Sequence, residues 1–82
     1  MSTLIGKQIT IKIIDIITEH PIENVQININ INAKYYSDFN GEVNIEDKNI
    51  NKIMIEKKGY HSIVLSPPFS QLIQLKPILF KH

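Results

Sequence analysis

Isoleucine alternates with polar residues in two segments of the chain. From Gln8 to Ile13 every second residue is isoleucine, and from Val25 to Asn32 each valine or isoleucine is followed by glutamine or asparagine. A period of two places apolar side chains on one face of a β-strand and polar side chains on the other. Branching at Cβ also favours the extended conformation. Both segments are therefore predicted to be strands with one buried face.

The alternation is interrupted where Ile13 and Ile14 follow one another. Two apolar residues in succession indicate a β-bulge, or a strand that crosses from one sheet to the other. Pro21 has no N–H to donate to a ladder, so we expect the first strand to end before it.

The remaining strand-like segments are short and are separated by turn residues. Asn40-Gly41 is a strong hairpin signal because both residues tolerate a positive φ. Pro67-Pro68 predicts a stiff loop, since proline cannot join a central ladder. No part of the chain shows a helical period. The sequence therefore predicts an all-β sandwich of about seven strands.

A chain of 82 residues is predicted to form a single domain. We expect its core to lie within about residues 6–77, with residues 78–82 as a terminal tail. The chain contains no cysteine, so no disulfide or cysteine-based zinc site can stabilise it. A domain this small must then depend on dense packing of large apolar side chains.

The charge pattern argues against nucleic acid as a partner. Nine basic and eight acidic residues leave a net charge of +1, and every basic residue is lysine. Sequence-specific nucleic-acid readers and phosphate clamps rely on the guanidinium group of arginine. The longest basic cluster is Lys57-Lys58, which is too small for an electrostatic footprint.

The sequence also predicts no membrane partner. No segment reaches the ~18 consecutive apolar residues of a membrane-spanning helix. The first residues lack the basic and apolar regions of a signal peptide. We expect the protein to be made in the cytoplasm and to be incorporated there into a larger particle such as a virion.

Four motifs occur in an order that resembles a known family. They are Pro21-Ile22-Glu23-Asn24-Val25, Ser37-Asp38-Phe39-Asn40-Gly41-Glu42-Val43, Lys57-Lys58-Gly59-Tyr60 and Leu72-Ile73-Gln74-Leu75-Lys76-Pro77. The set resembles the carboxypeptidase regulatory-like domains, the transthyretin-like or prealbumin-like branch of the immunoglobulin-like sandwiches. The resemblance implies antiparallel strands and a spacer, docking or adhesive role without catalysis. The chain departs from the family pattern at Val43, where an aromatic residue is usual, and at Phe39, where a small or acidic one is usual.

Candidate catalytic and metal-binding residues are scarce. The enzymes that share the transthyretin-like fold, the hydroxyisourate hydrolases, use paired histidines, an arginine and a Tyr-Arg-Gly-Ser C-terminus, none of which fits this chain. His20, His61 and His82 are scattered, whereas a metal site needs convergent donors. The segment from Asp38 to Glu42 is better explained as a turn than as a calcium loop. We expect no catalytic residue, metal ligand or cofactor.

Apolar residues at turns and in the tail are the candidates for contact with a partner protein. They are Tyr35, Tyr36, Phe39, Phe69, Ile78, Leu79 and Phe80. The two adjacent tyrosines should point to opposite faces of a strand. The apolar tail either docks on a partner or folds back to extend the last strand.

These features favour a non-enzymatic structural protein that docks on a large assembly. With the small size of the chain and its apolar turn and tail residues, the most concrete form of this hypothesis is an auxiliary (decoration) capsid protein of a phage, bound to capsid subunits. Enrichment in isoleucine, asparagine and lysine is typical of an AT-rich genome, which such a phage would have. A carbohydrate- or peptide-binding surface module is the alternative, and a regulatory domain of a larger enzyme is the third. An exposed aromatic platform would favour the carbohydrate- or peptide-binding module.

Overall fold

A computed structural model of the protein describes residues 7–30, 33–47 and 50–79. Within these ranges the chain forms seven strands and no helix, which confirms the predicted all-β class. The strands are β1 (Lys7–Asp15), β2 (Gln26–Ile29), β3 (Ala33–Tyr36), β4 (Glu42–Asp47), β5 (Ile53–Glu56), β6 (Ile63–Leu65) and β7 (Leu72–Leu75).

The strands form a three-stranded sheet in the order β4-β1-β7 and a four-stranded sheet in the order β3-β2-β5-β6. All pairs in the four-stranded sheet are antiparallel. In the three-stranded sheet β1 pairs antiparallel with β4 and parallel with β7. The described part of the chain is therefore a β-sandwich of seven strands, as the strand pattern predicted, and the parallel pair of β1 and β7 is the departure from the expected antiparallel pairing.

The core between the sheets consists almost entirely of isoleucine. Its buried members are Ile11, Ile13, Ile22, Val25, Ile27, Ile29, Val43, Ile45, Ile50, Ile53, Ile55, Ile73 and Leu75. On β2 and β5 these side chains stand directly opposite each other, with Ile27 beside Ile55 and Ile29 beside Ile53. Full burial of one such side chain contributes roughly 1.5–3 kcal/mol. This packing is what allows so short a chain to fold without a disulfide.

The strand β2 is shorter than the alternation predicts. It ends at Ile29 because Asn30 turns the chain, with a φ of 55°. The backbone N–H of Asn30 donates to the carbonyl oxygen of Lys52 at 2.9 Å, which joins the end of β2 to the residue before β5. The predicted continuation through Ile31 and Asn32 lies outside the described residues.

The adjacent residues Ile13 and Ile14 do not mark a change of sheet, so that prediction was wrong. β1 stays in the three-stranded sheet and pairs with β7 in continuous register from Lys12 to Asp15. Ile13 points into the core, whereas Ile14, on the opposite face of the strand, is 9% exposed. Pro21 pairs beside Ile14, and the N–H of Ile22 donates to the carbonyl oxygen of Ile13 at 3.1 Å. This returning segment shields the second isoleucine, which explains its apolar character.

The Asn40-Gly41 signal marks a turn, but the turn is not a hairpin within one sheet. The N–H of Gly41 donates to the carbonyl oxygen of Asp38 at 2.8 Å, as in a β-turn. However, β3 and β4 belong to different sheets, so the turn carries the chain across the sandwich. The carbonyl oxygen of Gly41 accepts a 2.7 Å hydrogen bond from the N–H of Ile13. This bond draws the turn onto β1 and away from β3.

Gly41 is required at that position for two reasons. Its φ is +74°, a region that L side chains rarely adopt. A Cβ placed there would collide with the carbonyl oxygen of Ile13 and would lie 3.0 Å from the Cβ of Pro21. The absence of a side chain therefore permits the close contact between this turn and β1.

The register places four connections at one end of the sandwich. β1 and β7 finish there at Asp15 and Leu75, β3 finishes at Tyr36, and β5 finishes at Glu56. We call this the Asp15 end; it comprises residues 16–25, 36–41, 56–62 and 76–79. The opposite end carries residues 50–52 and 66–71.

Candidate functional site

A buried carboxylate organises the Asp15 end. Asp15 is 8% exposed, and its Oδ1 atom accepts hydrogen bonds from the backbone N–H groups of Ile17 at 2.7 Å and Thr18 at 3.1 Å. Its Oδ2 atom accepts a 2.7 Å hydrogen bond from the hydroxyl of Tyr60. Both oxygens are thus occupied within the protein, so Asp15 serves as a structural acceptor between two loops.

This hydrogen bond shifts the ionisation of both partners. The hydroxyl of Tyr60, followed by the N–H of Thr18, lowers the pKa of Asp15 below its ordinary value, against the opposing effect of desolvation. Hydrogen bonding to the carboxylate of Asp15 raises the pKa of Tyr60 above its ordinary value. The pair is most stable with Asp15 ionised and Tyr60 protonated.

The C-terminal tail is joined to the same loops. Pro77 pairs with Tyr60, and the N–H of Ile78 donates to the carbonyl oxygen of Gly59 at 2.9 Å. The N–H of His61 donates to the carbonyl oxygen of Lys76, also at 2.9 Å. Of the two arrangements that the sequence left open, the chain up to Ile78 therefore folds back onto the sandwich, beside residues 59–61.

Four of the predicted contact residues are exposed in the described ranges, and all four lie at the Asp15 end. Phe39 is 74% exposed, Leu79 73%, Tyr36 56% and Ile78 37%. Phe80 lies outside the described residues. The structure therefore brings to one end side chains that are up to 43 positions apart in the sequence, from Tyr36 to Leu79.

Two of the predicted contact residues are less exposed than those four. Tyr35 and Phe69 are partly buried and pack against the core. Tyr35 points inward because the neighbouring Tyr36 points outward, as the alternation of a strand requires. Phe69 follows the prolines of the loop at the opposite end, and its ring packs against the core there. Tyr35 thus takes the inward position that strand alternation predicts for one of the two tyrosines, and Phe69 is half-buried at its loop.

The sequence reasoning missed two exposed isoleucines. Ile16 is 45% exposed and Ile17 is 62% exposed, in the turn that follows Asp15. A signal was present, because two consecutive isoleucines immediately before Thr18 and Glu19 cannot both face a core. The turn closes at Glu19, which has a φ of 64° and whose N–H donates to the carbonyl oxygen of Asp15 at 2.8 Å.

The histidines do not converge. His20 and His61 are exposed, and His82 lies outside the described residues. Among the residues that the structure describes, no group of three or more His, Cys, Asp or Glu side chains could hold a metal ion.

The described ranges also contain no helix that could cross a lipid bilayer.

A polar cleft opens on the outer face of the four-stranded sheet, at the Asp15 end. Its volume is about 420 Å³. The lining residues are Asn24, Gln26, Tyr36, Glu56, Lys57, Lys58 and Ser62. They come from β2, β3, β5 and the adjoining loops, so only the register of the sheet brings them together.

The floor of the cleft is a row of polar side chains across three strands. Gln26 stands directly between Tyr36 on β3 and Glu56 on β5. Its Nε2 atom lies 3.3 Å from Oε1 of Glu56, and Nδ2 of Asn28 donates to the same oxygen at 3.2 Å. The hydroxyl of Tyr36 lies 3.5 Å from Oε1 of Gln26. The row is therefore ordered, but its hydrogen bonds are long compared with the usual ~2.9 Å.

The sequence matches no model of a known protein family and no characterised protein. The geometry of the Asp15 end therefore supplies the argument for function.

Proposed function

We propose that this protein is a non-enzymatic interaction module that docks on a larger protein assembly through the Asp15 end. The observation that carries the proposal is the distribution of exposed apolar side chains. Eight large hydrophobic residues are exposed in the described ranges. Six of them lie at the Asp15 end, and the other two, Val64 and Leu72, belong to β6 and β7. The six are Ile16, Ile17, Tyr36, Phe39, Ile78 and Leu79.

Single exposed apolar residues are ordinary, but a concentration of them at one end is a feature of protein-binding surfaces. The loops that carry them are held in place before any partner arrives. The carboxylate of Asp38 accepts the N–H groups of Asn40 and Glu42, each at 2.9 Å, beneath Phe39. The tail is held at Ile78, next to Leu79. Pre-ordered loops lose little conformational entropy on binding, which favours docking without refolding.

In its most specific form, the proposal is an auxiliary capsid protein on a phage virion. The small size of the chain and its exposed apolar loops support it, as does the resemblance to carboxypeptidase regulatory-like domains, which act mostly as docking modules. A cytoplasmic site of synthesis followed by incorporation into particles completes this proposal. Catalysis has no part in it.

Site-specific photo-crosslinking in the native cells tests the proposal. A photoreactive amino acid is placed at Phe39 or Leu79, and at Ser66, an exposed residue of the opposite end, as the control. We expect both probes at the Asp15 end to crosslink to the same protein, in a fraction that sediments with large particles. The control should give no such product.

Crosslinks that are equal from the two ends, or that are absent from both probes at the Asp15 end, would overturn docking through this surface. Identification of the crosslinked protein as a capsid subunit would support the virion form, and any other partner would exclude it.

A further inference from the structure

We propose that the polar cleft on the four-stranded sheet is a binding site for a pyranose ring of a glycan. Tyr36 would contact the face of the sugar ring, and its neighbours Gln26 and Glu56 would bind the hydroxyl groups. This is a second activity, and of the six exposed apolar residues that carry the docking proposal Tyr36 alone also lines the cleft.

The size and lining of the cleft fit a sugar better than an apolar ligand. A volume of about 420 Å³ is at the lower end of the range of small-molecule sites. Among its lining residues, Tyr36 supplies the aromatic surface, with 56% of the residue exposed. A tyrosine ring combines an apolar face with a polar edge, which suits a ligand with C–H groups on its faces and hydroxyls around its rim.

The floor of the cleft offers donors and acceptors side by side. The amide of Gln26 carries both, and the carboxylate of Glu56 is an acceptor. Adjacent hydroxyls of a pyranose also act as donor and acceptor, so they can pair with this row. The present bonds between Gln26, Asn28 and Glu56 are 3.2–3.3 Å long. They are weak enough to be exchanged for bonds to a ligand at small cost.

The amides on β2 are also unfavourable choices for the strand itself. Asparagine is depleted in strands, and its outward face contributes nothing to the isoleucine core. The inward residues Ile27 and Ile29 explain why the strand forms, but not why Gln26 and Asn28 face outward between them. The outward position of Gln26 places its amide in the cleft, where it can bind a ligand.

The cleft is suited to binding and not to cleavage of a glycosidic bond. Glycoside hydrolysis normally uses two carboxyl groups on opposite sides of the bond. Among the lining residues Glu56 supplies the single carboxylate, and Lys57 and Lys58 stand beside it. The arrangement has an acceptor and two cations, but no second acid or base of the required kind.

The test uses the full chain on an array of neutral and acidic pyranosides, followed by NMR titration with the best ligand. We expect shifts of the amide signals of residues 24–28, 36 and 56–62. Tyr36→Ala should weaken binding by about tenfold or more, as for a contact residue at the centre of a site. Tyr36→Phe should retain most of the affinity, and Gln26→Ala should lose about tenfold while leaving the fold intact.

Phe39→Ala is the matched control, because Phe39 is an exposed aromatic of the same end that does not line the cleft. It should leave sugar binding unchanged, although it weakens docking. The two proposals can therefore fail separately.

Absence of binding to every pyranoside on the array would overturn the sugar proposal. Equal loss of binding in Tyr36→Ala and Phe39→Ala would also overturn it, since the ligand would then contact the apolar loops. Binding of a peptide from a displayed library that Tyr36→Ala abolishes, with no glycan bound, would assign the cleft to peptides and reject the sugar.

Discussion

Replacement of Ser37 by alanine should destabilise the fold more than the loss of one oxygen atom suggests. Ser37 is 3% exposed, immediately after β3. Its Oγ donates to the carbonyl oxygen of Ile22 at 2.7 Å and accepts from the N–H of Val25 at 2.9 Å. Ser37→Ala leaves two backbone groups of buried residues, the carbonyl of Ile22 and the N–H of Val25, without the side-chain partner that they have in this structure.

The magnitude follows from these two bonds. Each hydrogen bond contributes about 1 kcal/mol net, and a buried group left unsatisfied costs about 1–3 kcal/mol. We therefore expect Ser37→Ala to lower the free energy of unfolding by about 2–3 kcal/mol. A chain of 82 residues has a total stability on the order of 4–12 kcal/mol. The corresponding fall in Tm is roughly 10–20 °C for a domain of this size.

Denaturant and thermal unfolding, followed by circular dichroism, measure this loss. Ser70→Ala is a matched control, because Ser70 also bonds a backbone carbonyl and a backbone N–H, both of Leu72, but is exposed. Water can replace its hydroxyl, so its effect should stay within about 0.5 kcal/mol. The m-value should not change in either variant. If Ser37→Ala costs no more than Ser70→Ala, the reasoning from buried backbone groups is refuted.

Three further predictions concern the turns and the Asp15 end. Gly59→Ala should lower the free energy of unfolding by about 1–2 kcal/mol, because alanine is strained at this positive φ. Gly41→Ala should lower it by more, because the new Cβ would also collide with the backbone of Ile13. Equal losses of stability in thermal unfolding would contradict this prediction. Because the pKa of Asp15 is lowered from 3.8, its hydrogen bond stabilises the fold fully at a pH above that value, and this stabilisation is lost as pH falls through the folded pKa. Because the pKa of Tyr60 is raised from 10.0, its stabilisation is present at a pH below that value and is lost as pH rises through the folded pKa. Tyr60→Phe should therefore flatten the stability profile at both extremes, and an unchanged acid limb would argue against the hydrogen bond. Phe39→Ala should change the free energy of unfolding by less than about 0.5 kcal/mol, since the ring is 74% exposed, and a larger loss would mean that Phe39 serves the fold.

Local patterns predicted the strands, and partners distant in the sequence determined the rest of the fold. The alternation of Val25 to Ile29 depends on one buried face, which is a property of neighbouring residues, so it could be recognised. The turn at Asp38–Gly41 was equally recognisable from its residue types. Its sheet-to-sheet path was not, because the path depends on the hydrogen bond from Ile13 to Gly41.

The candidate site was predictable to a smaller extent. The exposure of Tyr36 and the burial of Tyr35 follow from strand alternation alone. The packing of Phe69 against the core depends on the tertiary position of its loop, which its sequence neighbours do not define. The cleft was missed because Gln26 and Glu56 are 30 positions apart and meet only through the register of β2 with β5.

The parallel pair of β1 and β7 has a consequence for biosynthesis. It joins Ile13 to Ile73, which are separated by 60 positions in the chain. A ribosome releases the first strand long before its partner, so one edge of β1 must wait unpaired while most of the polypeptide is still being made. Long-range pairing of this kind is slow, and the exposed edge can recruit other chains in the meantime. A nascent chain arrested before Leu72 should therefore be a substrate for chaperones, whereas the complete chain should not.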